Sequence, residues 1–282
     1  VRQNAVATDF ATSDSWVILS PIEQSIKRKI EAVGTPLKDW DINIYRGVLT
    51  GYNEAFIIST EKRDEILSKC QTPEERQRTE ELIRPILRGR DIKRYGYDWA
   101  DLWLINTHNG IKGKLDRIRI EDYPAVKAHL DQYWNKISTR ADKGDTPYNL
   151  RNCAYLDDFS KPKIVWKRIG SILRFSYDDR GCFGLDSTCF ASGSQLAYLT
   201  CVLNSKIGHY LLKDSPCTGT GDLLISVQAI EPLMIPMASN DSFEELLCRI
   251  LSGSKDAETN AFHAISDLYG FNREEREYIL MR

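Results

Sequence analysis

The sequence has no region that predicts a membrane span, a disulfide framework or a zinc site. None of its apolar runs approaches the roughly 20 residues of a transmembrane helix, and the N-terminus lacks the charged-then-apolar pattern of a signal peptide. The seven cysteines are widely spaced without a Cys-x-x-Cys pair, and the four histidines are scattered. These absences lead us to expect a cytoplasmic protein with no metal site.

A strong excess of either charge is also missing, but the charges are unevenly distributed. The net charge of -2 argues against a histone-like nucleic-acid binder. Residues 84–119 nevertheless hold nine Lys and Arg against four Asp, and residues 161–174 hold five Lys and Arg and no acid. Residues 216–282 hold five Lys and Arg against eleven Asp and Glu. This segregation predicts one surface for an anionic partner, although solvated helix faces remain an alternative reading of the basic runs.

Helical and strand patterns are mixed along the chain without β-α-β repetition. Apolar periodicity predicts an amphipathic helix at 22–33, a hairpin at 41–58 around a glycine turn, and a strand at 163–169. Further helices are predicted at 61–70, 73–83, 125–140, 194–213, 241–252 and 256–269, and in a final segment that begins at Asn272. The predicted fold class is α+β, with an irregular mixed β-sheet domain, packed helices and a helical C-terminal region.

Two segments carry the clearest functional signal. The turn Thr50-Gly-Tyr-Asn53 places two short hydrogen-bonding side chains beside a glycine, and the run from Arg84 to Tyr95 places five cations near a second glycine. Glycine lets the backbone approach a ligand closely, and cations contact phosphates. Thr50 and Asn53 have an equally good structural explanation, because both residue types stabilise turns by bonding their own backbone.

These segments, with four others, resemble the TaqI-like C-terminal specificity domain of adenine-specific DNA methyltransferases. The resemblance includes the fused type IIG restriction-modification enzymes and the related phage-defence methyltransferases. It runs in order from about Trp16 almost to the C-terminus. Besides the two segments above, it rests on residues 157–169, 198–212, 225–236 and 267–275. Phe271 and Asn272 depart from the Leu and Thr of the family's final motif.

The resemblance implies a target-recognition domain that binds double-stranded DNA and chooses its sequence. It implies a linker or disordered start at 1–15, the DNA-binding domain at 16–236 and a helical region at 237–282. The family's Asn/Asp-Pro-Pro-Tyr/Phe motif is missing, since the chain has no Pro-Pro dipeptide. We therefore expect no catalytic residue here, and expect S-adenosylmethionine to bind a catalytic domain elsewhere in a longer parent chain. The polar start at Val1 also leads us to expect part of a longer protein.

The candidate DNA contacts come from the basic runs and from loops. Arg88, Arg90, Lys93 and Arg94 would clamp phosphates, with backbone N–H groups near Gly51 and Gly89 adding contacts. The full set is Thr50, Gly51, Asn53, Arg88, Gly89, Arg90, Lys93, Arg94, Lys112, Lys114, Asn149, Arg151, Lys163, Lys167 and Arg168. Residues 145–170 are the first place to look for base reading.

Several residues have a structural alternative that we favour. Trp166 and Arg168 share a predicted strand face, but Trp166 fits a core position better than a DNA contact. Arg84 reads as a surface or capping cation, and Asp91 as the residue that orients a neighbouring Arg. The segment 218–222 lacks the Gly-Lys-Ser/Thr ending of a phosphate loop and reads as a flexible connection.

Two other classes of function stay open at this point. The acidic helical tail could dock a partner subunit, which would make the chain a protein-interaction module. A small-molecule enzyme is the weaker alternative, because Ser215, Cys217 and His209 form no recognisable nucleophile and base pattern.

Overall fold

The computed structural model describes residues 19–282. Within that range the chain forms twelve α-helices, which confirms most of the predicted helices. They are α1 Pro21–Val33, α2 Asn53–Phe56, α3 Thr60–Ser68, α4 Pro73–Leu82, α5 Pro124–Asp131, α6 Trp134–Ile137, α7 Leu196–Asn204, α8 Lys206–Leu211, α9 Val227–Ile230, α10 Asp241–Leu251, α11 Lys255–Leu268 and α12 Arg273–Leu280. None of the helices in the described range is long and apolar enough to cross a membrane.

The same range holds twelve short strands. They are β1 Thr35–Pro36, β2 Ile42–Arg46, β3 Ile57–Ser59, β4 Ile83–Leu87, β5 Leu102–Ile105, β6 Lys163–Lys167, β7 Ile169–Gly170, β8 Phe175–Asp178, β9 Phe183–Gly184, β10 Thr188–Gly193, β11 Leu223–Leu224 and β12 Met234–Ile235. The fold is α+β with several small sheets, as predicted.

The chain divides into two compact units. Unit 1 contains 19–40, Ala197–Asp214 and Ala229–Arg282, and unit 2 contains Asp41–Leu196 and Ser215–Gln228. The limits of these units differ from those of the predicted domains. The predicted domains were defined by function, and their limits stay a prediction. The predicted linker at 1–15 lies outside the described residues.

Unit 1 is mainly helical. Ser20 and Glu23 form a capping box at the start of α1, as do Asn272 and Glu275 at the start of α12. Glu275 also accepts hydrogen bonds from Ser25 Oγ at 2.7 Å and Lys29 Nζ at 2.6 Å. One carboxylate therefore both caps α12 and holds it to α1.

Unit 2 is built on two four-stranded sheets. One has the order β3-β5-β4-β9, with β4 and β9 parallel, and the other has the antiparallel order β2-β10-β6-β8. Phe159 packs between them, with ring centroids 4.6 Å from Phe183 of β9 and 4.6 Å from Phe190 of β10. All three rings are buried, so they join the sheets through one apolar core.

The predicted hairpin at 41–58 was wrong. Strand β2 pairs with β10, and β3 pairs with β5, so the two arms enter different sheets. The glycine turn between them leads into the short helix α2. Alternation predicted both strands, but it shows only which face of a strand is buried and not which strand it pairs with.

Strands β6 and β8 form the hairpin that positions the second basic run. Their register pairs Lys163 with Asp178 and Trp166 with Phe175, which leaves residues 167–174 at the tip. Trp166 is buried and its Nε1 donates to the Ile225 carbonyl oxygen at 2.8 Å. The core assignment favoured for Trp166 is therefore confirmed.

A buried ion pair fixes the base of this hairpin. Lys163 Nζ lies 2.6 Å from Asp178 Oδ2, and both side chains are 0% exposed. Asp178 also accepts hydrogen bonds from Tyr97 Oη at 2.8 Å and from the Cys182 backbone N–H at 2.9 Å. Both oxygens of the Asp178 carboxylate therefore have hydrogen-bond partners, as a buried charge requires.

Replacing Lys163 by Met would leave the Asp178 charge buried without its cation. We expect Lys163→Met to lower the free energy of unfolding by about 3–5 kcal/mol, measured by urea titration of tryptophan fluorescence. The control is Lys114→Met, whose exposed pair with Asp157 should be worth about 1 kcal/mol or less. Equal losses in the two variants would contradict a special role for the buried pair.

Candidate nucleic-acid interface

A tight turn organises the first basic run. Asp91 is 4% exposed and accepts three hydrogen bonds from Arg88: from the backbone N–H at 2.8 Å, from Nε at 3.0 Å and from a terminal guanidinium nitrogen at 2.7 Å. The side-chain hydrogen bonds to Asp91 raise the pKa of Arg88. The prediction that Asp91 orients an Arg is confirmed. Arg88 is committed to the turn Gly89–Asp91, and Arg90 remains exposed at its apex.

Gly89 brings the two basic runs together. A Cβ at this position would lie 2.9 Å from Cγ of Lys167, so only glycine lets the lysine stem cross the turn at this distance. The Gly89 backbone N–H donates to Ser187 Oγ at 3.1 Å. Runs that are about 80 residues apart in sequence thus meet at one place.

Together they form a groove of about 250 Å³, here called the basic cleft. Its three cations come from the turn and from the tip of the β6–β8 hairpin. The lining residues are Gly89, Arg90, Ile92, Lys167, Gly170, Ser171, Ile172 and Arg174. No acidic side chain is among them, so the groove has a positive potential that favours an anionic ligand.

The cations of the basic cleft have no carboxylate partner in the described part of the chain, unlike several other cations of unit 2. Within the described residues, no carboxylate oxygen lies in salt-bridge range of Arg90, Lys167 or Arg174. Three other exposed or half-buried predicted DNA contacts have acidic partners. The pairs are Lys93 with Asp98, Lys114 with Asp157 and Arg151 with Asp142. The basic cleft therefore brings together three cations whose charge no carboxylate of residues 19–282 neutralises.

Ile172 stands at the rim of the basic cleft and is 60% exposed. Ser171 precedes it, and both lie at the hairpin tip between Gly170 and Arg174. A hydroxyl and an apolar side chain beside three cations are the contacts that read base edges and thymine methyl groups in DNA grooves. The tip offers chemistry beyond phosphate binding.

Loops of unit 2 enclose a second cavity, here called the loop pocket, of about 210 Å³. Three segments line it, namely 46–49, 106–110 (apart from Thr107) and 150–156. The loop pocket shares Asn109, Gly110 and residues 152–154 with a wider groove of about 650 Å³ that includes Lys112. Arg151 lines the first cavity and Lys112 the second, so the structure brings these two predicted contacts to one region.

The turn Asp186–Ser187 connects the loop pocket with the basic cleft. Asp186 Oδ2 lies 3.8 Å from the guanidinium of Arg46, which lines the loop pocket. The next residue, Ser187, receives the hydrogen bond from Gly89 in the basic cleft. Adjacent residues of this turn therefore contact the two features, which are neighbours in unit 2.

The structure places the Thr50 turn in a structural role. Thr50 is buried, its Oγ1 donates to Asn53 Oδ1 at 2.6 Å, and it accepts from the Tyr52 N–H at 3.2 Å. Gly51 has φ of +70° and packs against Arg140 and Asp142. Thr50 cannot reach DNA from this position, although the exposed Gly51 and Asn53 stay predictions as contacts.

Lys163 and Asn149, both predicted DNA contacts, are buried as well. Lys163 donates to Asp178 and to the Phe159 carbonyl oxygen at 2.7 Å. The Asn149 side chain donates to the Ile118 carbonyl oxygen at 2.9 Å and accepts from Thr146 Oγ1 at 2.7 Å. Their polar groups are satisfied inside the protein, so we leave both out of the interface. Strand alternation and loop composition favour exposure, but hydrogen-bonding partners from distant segments place them in the core.

The remaining predicted cations lie near the basic cleft. Arg94 is exposed, with its guanidinium 5.2 Å from the Tyr95 ring centroid. Arg168 is half-buried at the hairpin tip. Arg84, which the sequence suggested to be a surface or capping cation, caps no helix of the described range and is half-buried within β4, with its guanidinium 6.0 Å from the Phe183 ring.

Other residues of the interface were not predicted individually. Arg174 belongs to the basic run 161–174, so its charge was a usable signal, and Gly170 beside it was a second. Asn106 and His108 line the loop pocket, but they stand in an ordinary strand-to-loop sequence that gives no signal. Only the folding of the three segments around one cavity reveals them.

Comparison with known families agrees with this location. The family model described as the TaqI-like C-terminal specificity domain matches residues 84–223, which include every residue of the basic cleft. The chain carries a TaqI-like C-terminal specificity domain. This confirms the resemblance that the sequence motifs indicated, and it supports DNA target recognition. No curated protein matches the chain.

The specificity-domain chain is also similar to solved structures. One is that of the type IIL restriction-modification enzyme MmeI in complex with DNA, with a TM-score of 0.60 and 12% identity over 89% of this chain and 37% of that one. Another is the type IIG restriction endonuclease BpuSI, with a TM-score of 0.49 and 16% identity over 90% of this chain and 33% of that one. The chain spans about a third of the length of these proteins. The likeness to MmeI shows a shared fold.

Asp91 should be important for the turn that presents Arg90. We expect Asp91→Asn to lower the free energy of unfolding by about 1–3 kcal/mol, because it removes the charge from a buried bidentate pair. Urea unfolding curves would measure the loss. Asp98→Asn is the matched control in the same segment, since its exposed pair with Lys93 should contribute about 1 kcal/mol or less. If both variants lost the same free energy of unfolding, a role for Asp91 in holding the turn would be contradicted.

Proposed function

We propose that this chain is the sequence-specific double-stranded DNA recognition domain of a bacterial restriction-modification or phage-defence adenine-N6 DNA methyltransferase. Methyl transfer and S-adenosylmethionine binding belong to a catalytic domain outside these 282 residues, because the sequence lacks the Pro-Pro motif that positions the target adenine. The single observation that carries the proposal is the basic cleft, where two distant basic runs meet without an acid.

The charges of the basic cleft suit the DNA backbone. Arg90, Lys167 and Arg174 have no intramolecular salt bridge within the described residues, so binding a phosphate does not require breaking one. Phosphate contacts release condensed counterions, and this supplies affinity that falls steeply with salt. The turn held by Arg88 and Asp91 orders Arg90 in advance, which reduces the entropy lost on binding.

Base reading is assigned to the exposed side chains of the hairpin tip and the neighbouring loop. Ser171 and Ile172 offer a hydroxyl and an apolar surface, and Arg151 offers a forked donor of the kind that pairs with guanine. Ser171 and Ile172 follow the end of β7 and Arg151 lies in a loop, where exposed side chains can change without disturbing the core. Sequence preference would thus depend on the tip, whereas affinity would depend on the cations.

Reversing two charges of the basic cleft should weaken binding to every duplex sequence. We expect Arg90→Glu with Lys167→Glu to lower affinity for a mixed-sequence duplex at least tenfold at low salt. The plot of log affinity against log salt has a negative slope. Its magnitude should decrease by roughly 2, about one unit for each phosphate that is no longer neutralised. Fluorescence anisotropy of a labelled duplex at several salt concentrations measures both quantities.

Lys255→Glu is the control for charge reversal outside the basic cleft, and it changes the net charge by half as much as the double variant. Lys255 is exposed at the first position of α11, where the helix dipole favours an acid, and it lies in the acidic C-terminal region outside 84–223. Its affinity should match that of the unaltered chain. No binding of any mixed duplex by the unaltered chain, even when it is joined to its catalytic domain, would refute the proposed function.

A further inference from the structure

The loop pocket is a small cavity whose walls come from three separate loops of unit 2. Its volume of about 210 Å³ is below the roughly 300–1,000 Å³ of pockets for drug-sized ligands. Val48, Leu49 and Leu156 supply apolar wall, whereas the polar lining includes several side-chain amides and an imidazole. Such a cavity suits one compact, flat and polar-edged group.

Asn106 is the clearest sign that the loop pocket has a ligand. The residue is 8% exposed, and its Oδ1 is buried without a hydrogen-bond partner in residues 19–282. Buried amides in folded proteins are almost always paired, because an unpaired one forfeits its bonds to water. A ligand edge that carries both a donor and an acceptor would satisfy this amide in either orientation.

His108 presents a fixed donor on the same wall. The Gly110 backbone N–H donates to His108 Nδ1 at 3.2 Å, which requires the ring hydrogen on Nε2 when the imidazole is neutral. Burial lowers the pKa of His108, so the ring is neutral at pH 7. A neutral N–H donor and an uncharged amide can bond the acceptor and donor atoms of an uncharged polar edge.

Asn152 adds a further amide. Its Oδ1 accepts a hydrogen bond from Asn109 Nδ2, and Asn109 is itself held by Asp145 through Oδ1 and Nδ2. Asn152 is exposed, and its Nδ2 group makes no hydrogen bond to another described residue, so it can donate to a ligand. Donors and an acceptor therefore converge on a cavity that is too small for most metabolites.

Cations stand where the rest of a nucleotide would be. Arg46 and Arg151 both line the loop pocket and are exposed, and Lys112 lines the groove that continues from it. The turn Asp186–Ser187 leads from Arg46 to Gly89 of the basic cleft. A strand whose phosphates lie in the basic cleft would pass close to the mouth of the loop pocket.

We propose that the loop pocket binds a single unpaired nucleobase, turned out of a DNA duplex that lies along the basic cleft. This proposal rests on the proposed function. The base edge would bond Asn106, His108 and Asn152. Arg46 and Arg151 would exchange their exposed ion pairs with Asp186 and Asp142 for the flanking phosphates. The specificity domain itself would thus hold an extrahelical base with its own residues.

Two labelled DNA hairpins of one mixed sequence test this, one fully paired and one with a single unpaired adenine or cytosine in the stem. A base that is already unpaired avoids most of the cost of leaving the stack, so the unaltered chain should bind the bulged duplex on the order of tenfold more tightly. Anisotropy titrations at one salt concentration give both dissociation constants and their ratio.

Ala154→Trp is the diagnostic variant. Ala154 is exposed and lines the loop pocket, so a large ring there fills the cavity without entering the core. The preference for the bulged duplex should fall to about one while the affinity for the paired duplex is kept. Asn106→Leu should act in the same direction, and circular dichroism verifies the fold of each variant.

The two proposals fail in different ways. If the paired duplex binds with the expected salt dependence but the bulged duplex shows no preference, or if Ala154→Trp keeps the preference, the loop pocket assignment is overturned alone. If neither duplex binds, the proposed function fails with it. Titration with free adenosine and cytidine distinguishes the source of the base. If a free nucleoside binds as tightly as the bulged duplex and loses that binding in Ala154→Trp, the proposal that a DNA duplex is the source of the base is overturned.

Discussion

The buried pair of Lys163 and Asp178 is the interaction on which the arrangement of unit 2 depends. It fixes the base of the β6–β8 hairpin, and the hairpin in turn sets the position of its tip at 167–174. Asp178 also receives the hydroxyl of Tyr97, which follows the first basic run. One carboxylate therefore ties together the two segments that supply the basic cleft. Without this fixed link, repulsion between the cations would push the two segments apart.

The distribution of partners among the charged side chains separates structure from function. Arg88 and Lys163 are bonded to buried acids and hold the framework, whereas Arg90 and Lys167 extend from that framework without acidic partners in the described chain. Like charges placed together cost stability unless an anion joins them. Their persistence in an acid-free groove is consistent with a polyanionic ligand, and it agrees with the specificity-domain assignment of residues 84–223.

The basic cleft and the loop pocket differ in chemistry and suit different parts of a nucleic acid. The basic cleft is open and positively charged, so it matches a backbone. The loop pocket is small, with amides and an imidazole beside Arg46 and Arg151, so it matches a base edge with phosphates next to it. The turn Asp186–Ser187 touches both, through Arg46 on one side and Gly89 on the other. This proximity makes a single ligand that occupies both features a natural arrangement.

The sequence by itself determined the fold class, most helices, the two basic runs and the family, because these depend on local periodicity, composition and ordered motifs. It also indicated that Asp91 orients a neighbouring Arg, and the structure identifies that residue as Arg88. Only the tertiary structure decided that 41–58 joins two sheets, that Lys163 and Asn149 are internal, and that Gly89 lies under Lys167. Strand partners and burial depend on contacts between residues far apart in sequence. The pattern along one strand carries no information about which segment will cover it.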